Sequence, residues 1–169
     1  RVYRAVLSEK RNLVWIGMPS CGKTAVGKCL AERLRMPLAD TDEMLLPRLG
    51  MSIADYFARF GEAAFRQAER EAVKECAMRS GCVIAVGGGA VLDPENVRAL
   101  RRNGLLLFLD RSPDQLIPTA DRPLSSNREM LRKRYEERYP LYCAAADFRI
   151  DGNGSVEETA ERIEEVLKR

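Results

Sequence analysis

The chain has 169 residues, 46% hydrophobic and 31% charged, which suits one domain around a single core. Its 28 basic and 25 acidic residues nearly balance, which argues against a nucleic-acid-binding surface. No apolar run approaches the length of a membrane helix, about 20 residues, and no signal peptide opens the chain. The five cysteines lack metal-ligand spacing, so we expect free thiols in a reducing cytoplasm.

The start of the chain is basic and weakly amphipathic over residues 1–11, and its first residue is Arg1. We expect this segment to be either a tail or the remnant of a preceding domain in a longer polypeptide. Residues 12–169 are expected to form one domain. The chain contains no histidine, so any proton transfer falls to carboxylates, lysine, water or the substrate itself.

Short apolar runs alternate with helical patterns along the chain. The predicted strands cover residues 13–16, 37–39, 82–86, 105–109 and 148–150. The predicted helices cover residues 24–34, 43–49, 52–60, 62–79, 93–102, 128–138 and 155–168, with Gly61 ending the third of them. This alternation predicts an α/β fold of three layers, with about five parallel strands and helices on both faces. Sites in such folds lie at the carboxyl ends of the strands.

The first predicted strand runs into GMPSCGKT, residues 17–24, which match the phosphate-binding pattern GxxxxGK[ST]. In this loop backbone amides face the phosphates, Lys23 reaches the β- and γ-phosphates, and the Thr24 hydroxyl can ligate Mg²⁺. The motif therefore predicts ATP binding with Mg²⁺. A glycine-rich turn that matches by chance is the alternative, which the strand before the loop and the helix after it disfavour. Cys21 lies within the loop, close to where phosphate would bind.

Two carboxylates follow the second predicted strand. Asp40 and Asp42 flank Thr41, and in an extended chain both would face the same side. One could hold a water of the Mg²⁺ shell while the other, Asp42, accepts a hydrogen bond from a substrate hydroxyl as base or orienting group. The alternative is that one of them only caps the helix beginning near Glu43.

The sequence FRQAE places Arg66 and Glu69 one helical turn apart, where a carboxylate can orient a guanidinium. A solvated ladder of ion pairs with Glu62 and Arg70 is the commoner outcome for an arbitrary FRxxE. The glycines at 87–89 follow a predicted buried strand and would let a substrate lie directly on the backbone. A simple turn from strand to helix is the competing interpretation.

The motifs GMPSCGKT, DTD, FRQAE, VGGG, DRPL and RYPLY occur in the order and approximate spacing of shikimate kinases. From Leu13 to its end, the chain resembles that family. The resemblance implies the P-loop NTPase fold of nucleoside monophosphate kinases and ATP-dependent phosphorylation of the 3-hydroxyl of shikimate, with Mg²⁺. The alternatives are a kinase for another hydroxylated acid such as gluconate, and a silent nucleotide-binding regulatory domain. We expect a cytoplasmic monomer whose partners are shikimate and ATP, with neither nucleic acid nor membrane.

The resemblance also implies where each ligand binds. The nucleotide would be held by Ser20, Cys21, Gly22, Lys23, Thr24, Ala25 and the lid residue Arg122. Asp40 would support the metal through water, together with Thr24. Shikimate would be bound by Asp42, Arg66, Gly87, Gly88, Gly89 and Arg138. The catalytic residues would be Lys23, Asp42 and Arg122.

The acceptor-binding region is expected over about 40–80 and a short lid over about 112–124. Pro118 stands where the family often has an arginine over the adenine, and residues 152–154 match the adenine-contacting segment only loosely.

Overall fold

The computed structural model describes residues 11–116 and 128–168. Its sheet has five strands in the order β2-β3-β1-β4-β5, and every pair is parallel. The strands are β1 (Asn12–Ile16), β2 (Leu38–Asp40), β3 (Val83–Ala85), β4 (Gly104–Asp110) and β5 (Phe148–Asp151). The prediction of about five parallel strands is confirmed, and no strand end is shifted by more than one residue.

The core lies on both sides of the central strand. Every residue of β1 is buried, and because alternate side chains point to opposite faces, both faces of the sheet are covered. In register, Val14 of β1 pairs with Ile84 of β3 and Leu106 of β4. These strands carry continuous apolar runs because their side chains are buried on both faces of the sheet.

The helices alternate with the strands. They are α1 (Lys23–Leu34), α2 (Thr41–Leu49), α3 (Ile53–Ala77), α4 (Pro94–Arg101), α5 (Arg128–Ala145) and α6 (Val156–Lys168). α1 packs on α6, and α3 packs on both α2 and α4. No helix within the described ranges is both long and apolar enough to cross a bilayer.

Two predicted helices meet at a kink within the residue range of α3. The Ser52 side chain caps α3 by accepting a hydrogen bond from the Asp55 amide at 3.0 Å, as expected. Gly61 interrupts the helix as predicted: its φ of 82° and ψ of 174° are not helical, so the two predicted helices lie on either side of a kink within α3. The chain resumes its helical course at once because the residues that follow, such as Phe65 and Ala72, are buried by packing.

The helix carrying Arg138 is also longer than predicted. α5 continues past Arg138 through Pro140 to Ala145, since Tyr142 and Ala145 are buried against the core and that packing outweighs the hydrogen bond lost at a proline. The start of α4 is as expected, with Asp93 accepting a hydrogen bond from the Glu95 amide and Pro94 in the first turn.

A second apolar cluster lies apart from the main core. It consists of Leu45 and Leu49 from α2 with Phe65 and Ala72 from α3. This cluster joins α2 to α3 beside the carboxyl end of β2, where the predicted acceptor-binding residues lie.

Candidate functional site

The phosphate-binding loop joins the carboxyl end of β1 to the first turn of α1. Gly22 is the residue before α1 and has a φ of 94°, a left-handed conformation that glycine adopts without strain. The half-buried Ser20 also has a positive φ, 62°. Ala25 is exposed in the first turn of α1. The free amides of this turn and the positive end of the helix dipole form an anion-binding site.

Lys23 is held by its own loop. Its side chain is only 7% exposed, and Nζ donates hydrogen bonds to the carbonyl oxygens of Gly17 at 2.9 Å and Met18 at 2.6 Å. The Cys21 sulfur lies 3.7 Å from the same ammonium. The positive charge of Lys23 is therefore already positioned at the loop, where a bound phosphate could replace the carbonyl partners.

A hydrogen bond joins Thr24, at the end of the phosphate-binding loop, to Asp40 at the end of β2. The Thr24 hydroxyl donates a hydrogen bond to Asp40 Oδ2 at 2.7 Å, bringing a hydroxyl and a carboxylate to one point beside the phosphates. Oxygen ligands of this kind suit Mg²⁺, which usually keeps several waters and binds through one or two protein groups plus phosphate. Across residues 11–116 and 128–168 no three acidic or cysteine side chains cluster as a complete metal cage. The pair fits a Mg²⁺ held mainly by phosphate and water.

The expectation that Asp40 and Asp42 share one face of a strand is wrong. Asp40 Oδ1 accepts a hydrogen bond from the Asp42 amide at 2.9 Å, which caps α2 and ends the extended chain at Asp40. Thr41 therefore begins the helix, and its hydroxyl accepts a hydrogen bond from the Gly87 amide at 3.0 Å. Asp42 lies in the first turn of α2 and still faces the glycines after β3.

Arg66 and Glu69 form an ion pair as predicted, and it is not a fully solvated one. Arg66 Nη1 donates to Glu69 Oε1 at 2.7 Å, and Glu69 is only 2% exposed. Burial raises the pKa of the Glu69 carboxyl, and the nearby Asp42 acts in the same direction, whereas Arg66 opposes the shift. Glu62 contacts Arg66 from the solvent side at 3.2 Å. The buried carboxylate thus fixes the direction of the guanidinium.

The glycines after β3 leave room for these charged groups. A Cβ at Gly87 would lie 2.9 Å from Glu69 Oε2 and 3.0 Å from Asp42 Oδ1, and a Cβ at Gly89 would overlap the Arg66 guanidinium. Side chains at these positions would therefore displace the acid and the arginine. The bare backbone lets α2 and α3 bring their functional groups to one place.

Arg138 approaches the same place from α5. It is 7% exposed, and its positive charge acts to lower the pKa of Glu69 while Asp42 acts to raise it. The sequence alone could not predict this proximity, because the three residues belong to three different helices. The structure brings Asp42, Arg66 and Arg138 together around Glu69 and the glycines. Arg122, Pro118 and most of the expected lid lie outside the described residues.

Three residues at the site were missed by sequence reasoning. Tyr142, in the RYPLY motif, donates its hydroxyl to the Gly88 carbonyl oxygen at 2.6 Å. Arg134 lies one turn before Arg138, and burial together with the charge of Arg138 lowers its pKa. Arg111 follows β4 and lies against the phosphate-binding loop. The only signal for Arg111 was its place directly after a buried strand.

Comparisons with known proteins identify the family of this chain. The family model for shikimate kinase matches residues 19–168. A shikimate kinase of Symbiobacterium thermophilum is 41% identical over 169 aligned residues, covering 94% of this chain and 97% of the relative. A solved structure described as shikimate kinase from Acinetobacter baumannii in complex with shikimate has a TM-score of 0.90 and 29% identity, covering 98% of this chain and 97% of the other.

A gluconokinase from Sinorhizobium meliloti is a more distant structural neighbour. Its TM-score is 0.55 at 15% identity, and it covers 95% of this chain and 93% of the other, so it shows a shared fold alone. The family model and the relative at 41% identity both span most of the chain, and they confirm the resemblance found in the motifs. This chain belongs to the shikimate kinase family.

Proposed function

We propose that this protein transfers the γ-phosphate of ATP to the 3-hydroxyl of shikimate, giving shikimate 3-phosphate and ADP. The observation that carries the proposal is the convergence of Asp42, Arg66 and Arg138 beside the phosphate-binding loop. A carboxylate there can orient a ring hydroxyl, and two guanidiniums match the acid group of a hydroxylated acid. The solved relative from Acinetobacter baumannii, described as a complex with shikimate, supports the same acceptor.

The proposed mechanism is in-line transfer between the two halves of the site. Arg66, oriented by Glu69, and Arg138 hold the shikimate carboxylate, and the glycine backbone contacts the ring. Asp42 orients the 3-hydroxyl and accepts its proton as the new O–P bond forms and the bond from the γ-phosphorus to the β,γ-bridging oxygen breaks. Lys23 stabilises the charge that develops on the transferred group.

The remaining roles follow from the family. Mg²⁺, when bound, would neutralise phosphate charge, and Thr24 with Asp40 through water would hold it. Arg122 would reach the phosphates from the lid at about 112–124 during transfer. Residues 40–80 would form the acceptor-binding region of a single domain. We propose that the enzyme works as a cytoplasmic monomer.

The test is ADP release by the full chain, measured with a coupled assay in the presence of shikimate, gluconate or no acceptor. We expect turnover that depends on shikimate and is lost when Mg²⁺ is chelated. Turnover with gluconate alone would identify a different small-molecule kinase. Nucleotide binding without acceptor-dependent turnover would identify a silent binding domain. A Lys23→Met variant, purified in parallel, excludes a contaminating kinase.

A further inference from the structure

Arg111 lies at the nucleotide side of the site but has no role in the mechanism above. It directly follows β4, which ends at Asp110 and lies next to β1 in the sheet. Its Nη1 lies 3.6 Å from the position that a Cβ would occupy at Gly22. The guanidinium therefore lies against the phosphate-binding loop, at the residue before α1.

One nitrogen of the Arg111 guanidinium is buried and has no hydrogen-bond partner among the described residues. Its Nε is shielded from solvent and bonds to no other group of the described chain. The adjacent carboxylate of Asp110 is occupied elsewhere, because it accepts hydrogen bonds from Tyr135 at 2.8 Å and from Arg149 at 2.7 Å. A buried donor left unpaired is costly, so such a group beside an anion-binding loop indicates a ligand that completes its hydrogen bonds.

The order of the strands identifies the part of the nucleotide that Arg111 faces. Asp42 and the glycines at 87–89 follow β2 and β3, which lie on one side of β1. The γ-phosphate must face that side, because the acceptor binds there under the proposed function. The rest of the nucleotide then extends across the loop toward β4, on the other side of β1.

We propose that Arg111 binds the α-phosphate of ATP and ADP. A guanidinium bonds phosphate oxygens through charge-assisted hydrogen bonds in a planar fork, which matches both the charge and the unpaired donor. The contact would add a cation from β4 to the loop amides and Lys23. The inference rests on the proposed function only for the direction in which the nucleotide lies.

The test compares nucleotide affinity of Arg111→Met and Arg111→Lys with that of the wild type, using the full chain without acceptor. Met keeps the length and apolar contacts of the stem and removes the charge, and Lys restores a point charge. We expect Arg111→Met to weaken both ADP and CDP about 10- to 100-fold in calorimetric titrations, with partial recovery in Arg111→Lys. Arg98→Gln, an exposed arginine of α4 paired with Glu95, is the control and should bind both normally.

Two results would overturn the inference. Unchanged ADP affinity in Arg111→Met would show that the guanidinium does not contact the nucleotide. A loss confined to ADP, with CDP unaffected, would assign the contact to the base instead of the α-phosphate. Circular dichroism checks the fold of each variant, and Arg111→Gln serves in the same comparison if the Met variant does not fold. These measurements need no acceptor, so they stand even if the wild type fails to phosphorylate shikimate.

Discussion

The Tyr142 hydroxyl donates a hydrogen bond to the Gly88 carbonyl oxygen at 2.6 Å, which ties α5 to the glycines after β3. The Tyr142 ring is fully buried and stacks on Phe108 of β4, with ring centroids 5.0 Å apart. Burial also raises the pKa of the Tyr142 hydroxyl, so it stays a neutral donor. Arg138 lies one turn earlier on α5, so this bond links the helix that carries Arg138 to the glycines.

Tyr142→Phe should destabilise the protein and weaken acceptor binding. The ring is retained, but the Gly88 carbonyl oxygen is left buried without its partner, at a cost of about 1–3 kcal/mol in the free energy of unfolding. We also expect a higher KM for shikimate, because Arg138 loses its fixed position. Urea unfolding and steady-state kinetics measure the two effects. Tyr56→Phe on α3 is the control, with a change in stability below about 0.5 kcal/mol. An equal effect of both variants would contradict the role of the bond.

Arg66→Lys should raise the KM for shikimate about tenfold and leave the KM for ATP unchanged. A lysine keeps the positive charge but cannot present a planar fork to both Glu69 and a substrate carboxylate. Initial rates with each substrate varied in turn measure the split. Arg48→Lys, which alters an exposed ion pair with Glu75, should behave as wild type. Equal damage to both KM values would argue against a role confined to the acceptor.

Asp42→Asn should lower kcat far more than it lowers nucleotide affinity. The amide can still contact a hydroxyl, but it cannot accept the proton, and we expect a loss of about 100-fold or more. Single-turnover rates and ADP titrations measure the two quantities. Glu43→Gln, the exposed neighbouring carboxylate, is the control. Nearly normal turnover in Asp42→Asn would remove Asp42 as the group that takes the proton.

Lys23→Met should abolish turnover without unfolding the protein. The variant loses the ammonium that stabilises developing charge, so kcat should fall about 100-fold or more. It also loses the hydrogen bonds to Gly17 and Met18, so thermal unfolding is followed alongside activity. Lys28→Met, exposed on the same helix, should keep full activity. Retained turnover in Lys23→Met would place the essential charge elsewhere.

Glu69→Gln should alter how stability depends on pH. Burial raises the pKa of Glu69 in the folded state, so the folded protein binds this proton more tightly than the unfolded chain does. The contribution of this tighter proton binding to the free energy of unfolding is then fully present below the pKa of the unfolded chain, near 4.5. It is lost as the pH rises through the pKa of the folded state. The difference in free energy of unfolding, wild type minus Glu69→Gln, should therefore decrease as the pH rises from about 4 to 7.

Urea unfolding in steps of pH measures that difference. Glu71→Gln, exposed on the same helix, provides the comparison and should show no such trend. A difference for Glu69→Gln that stays flat or grows with pH would contradict the direction of the pKa shift.

Local patterns in the sequence predicted the strands, the phosphate-binding loop and the caps, because each depends on neighbouring residues. Ser52, Asp93 and Gly22 are examples in which one side chain or one backbone conformation determines the local structure. The role of Asp40 was harder to predict, since an aspartate at the end of a strand can either continue the extended chain or cap the next helix. In the structure Asp40 caps the helix, and Asp42 therefore lies in the first turn of α2.

Tertiary packing decided what the sequence left open. The approach of Arg66 to Gly89 joins residues from different elements, and no spacing rule gives that distance. The same holds for Tyr142 on Gly88 and for Arg111 against Gly22. In each pair the two partners lie far apart in the sequence, so their approach follows from the packing of separate elements and not from the spacing within a motif.

The separate cluster of Leu45, Leu49, Phe65 and Ala72 gives the acceptor side a modest core of its own. A small core lowers the free energy of local opening, so amides of α2 should exchange with solvent sooner than those of β1 and β4. A ligand that bridges Asp42 and Arg138 would slow this exchange, since it links the small unit to the large one. Acceptor binding would then be coupled to the ordering of α2 and α3, while the phosphate-binding loop stays as rigid as the sheet that carries it.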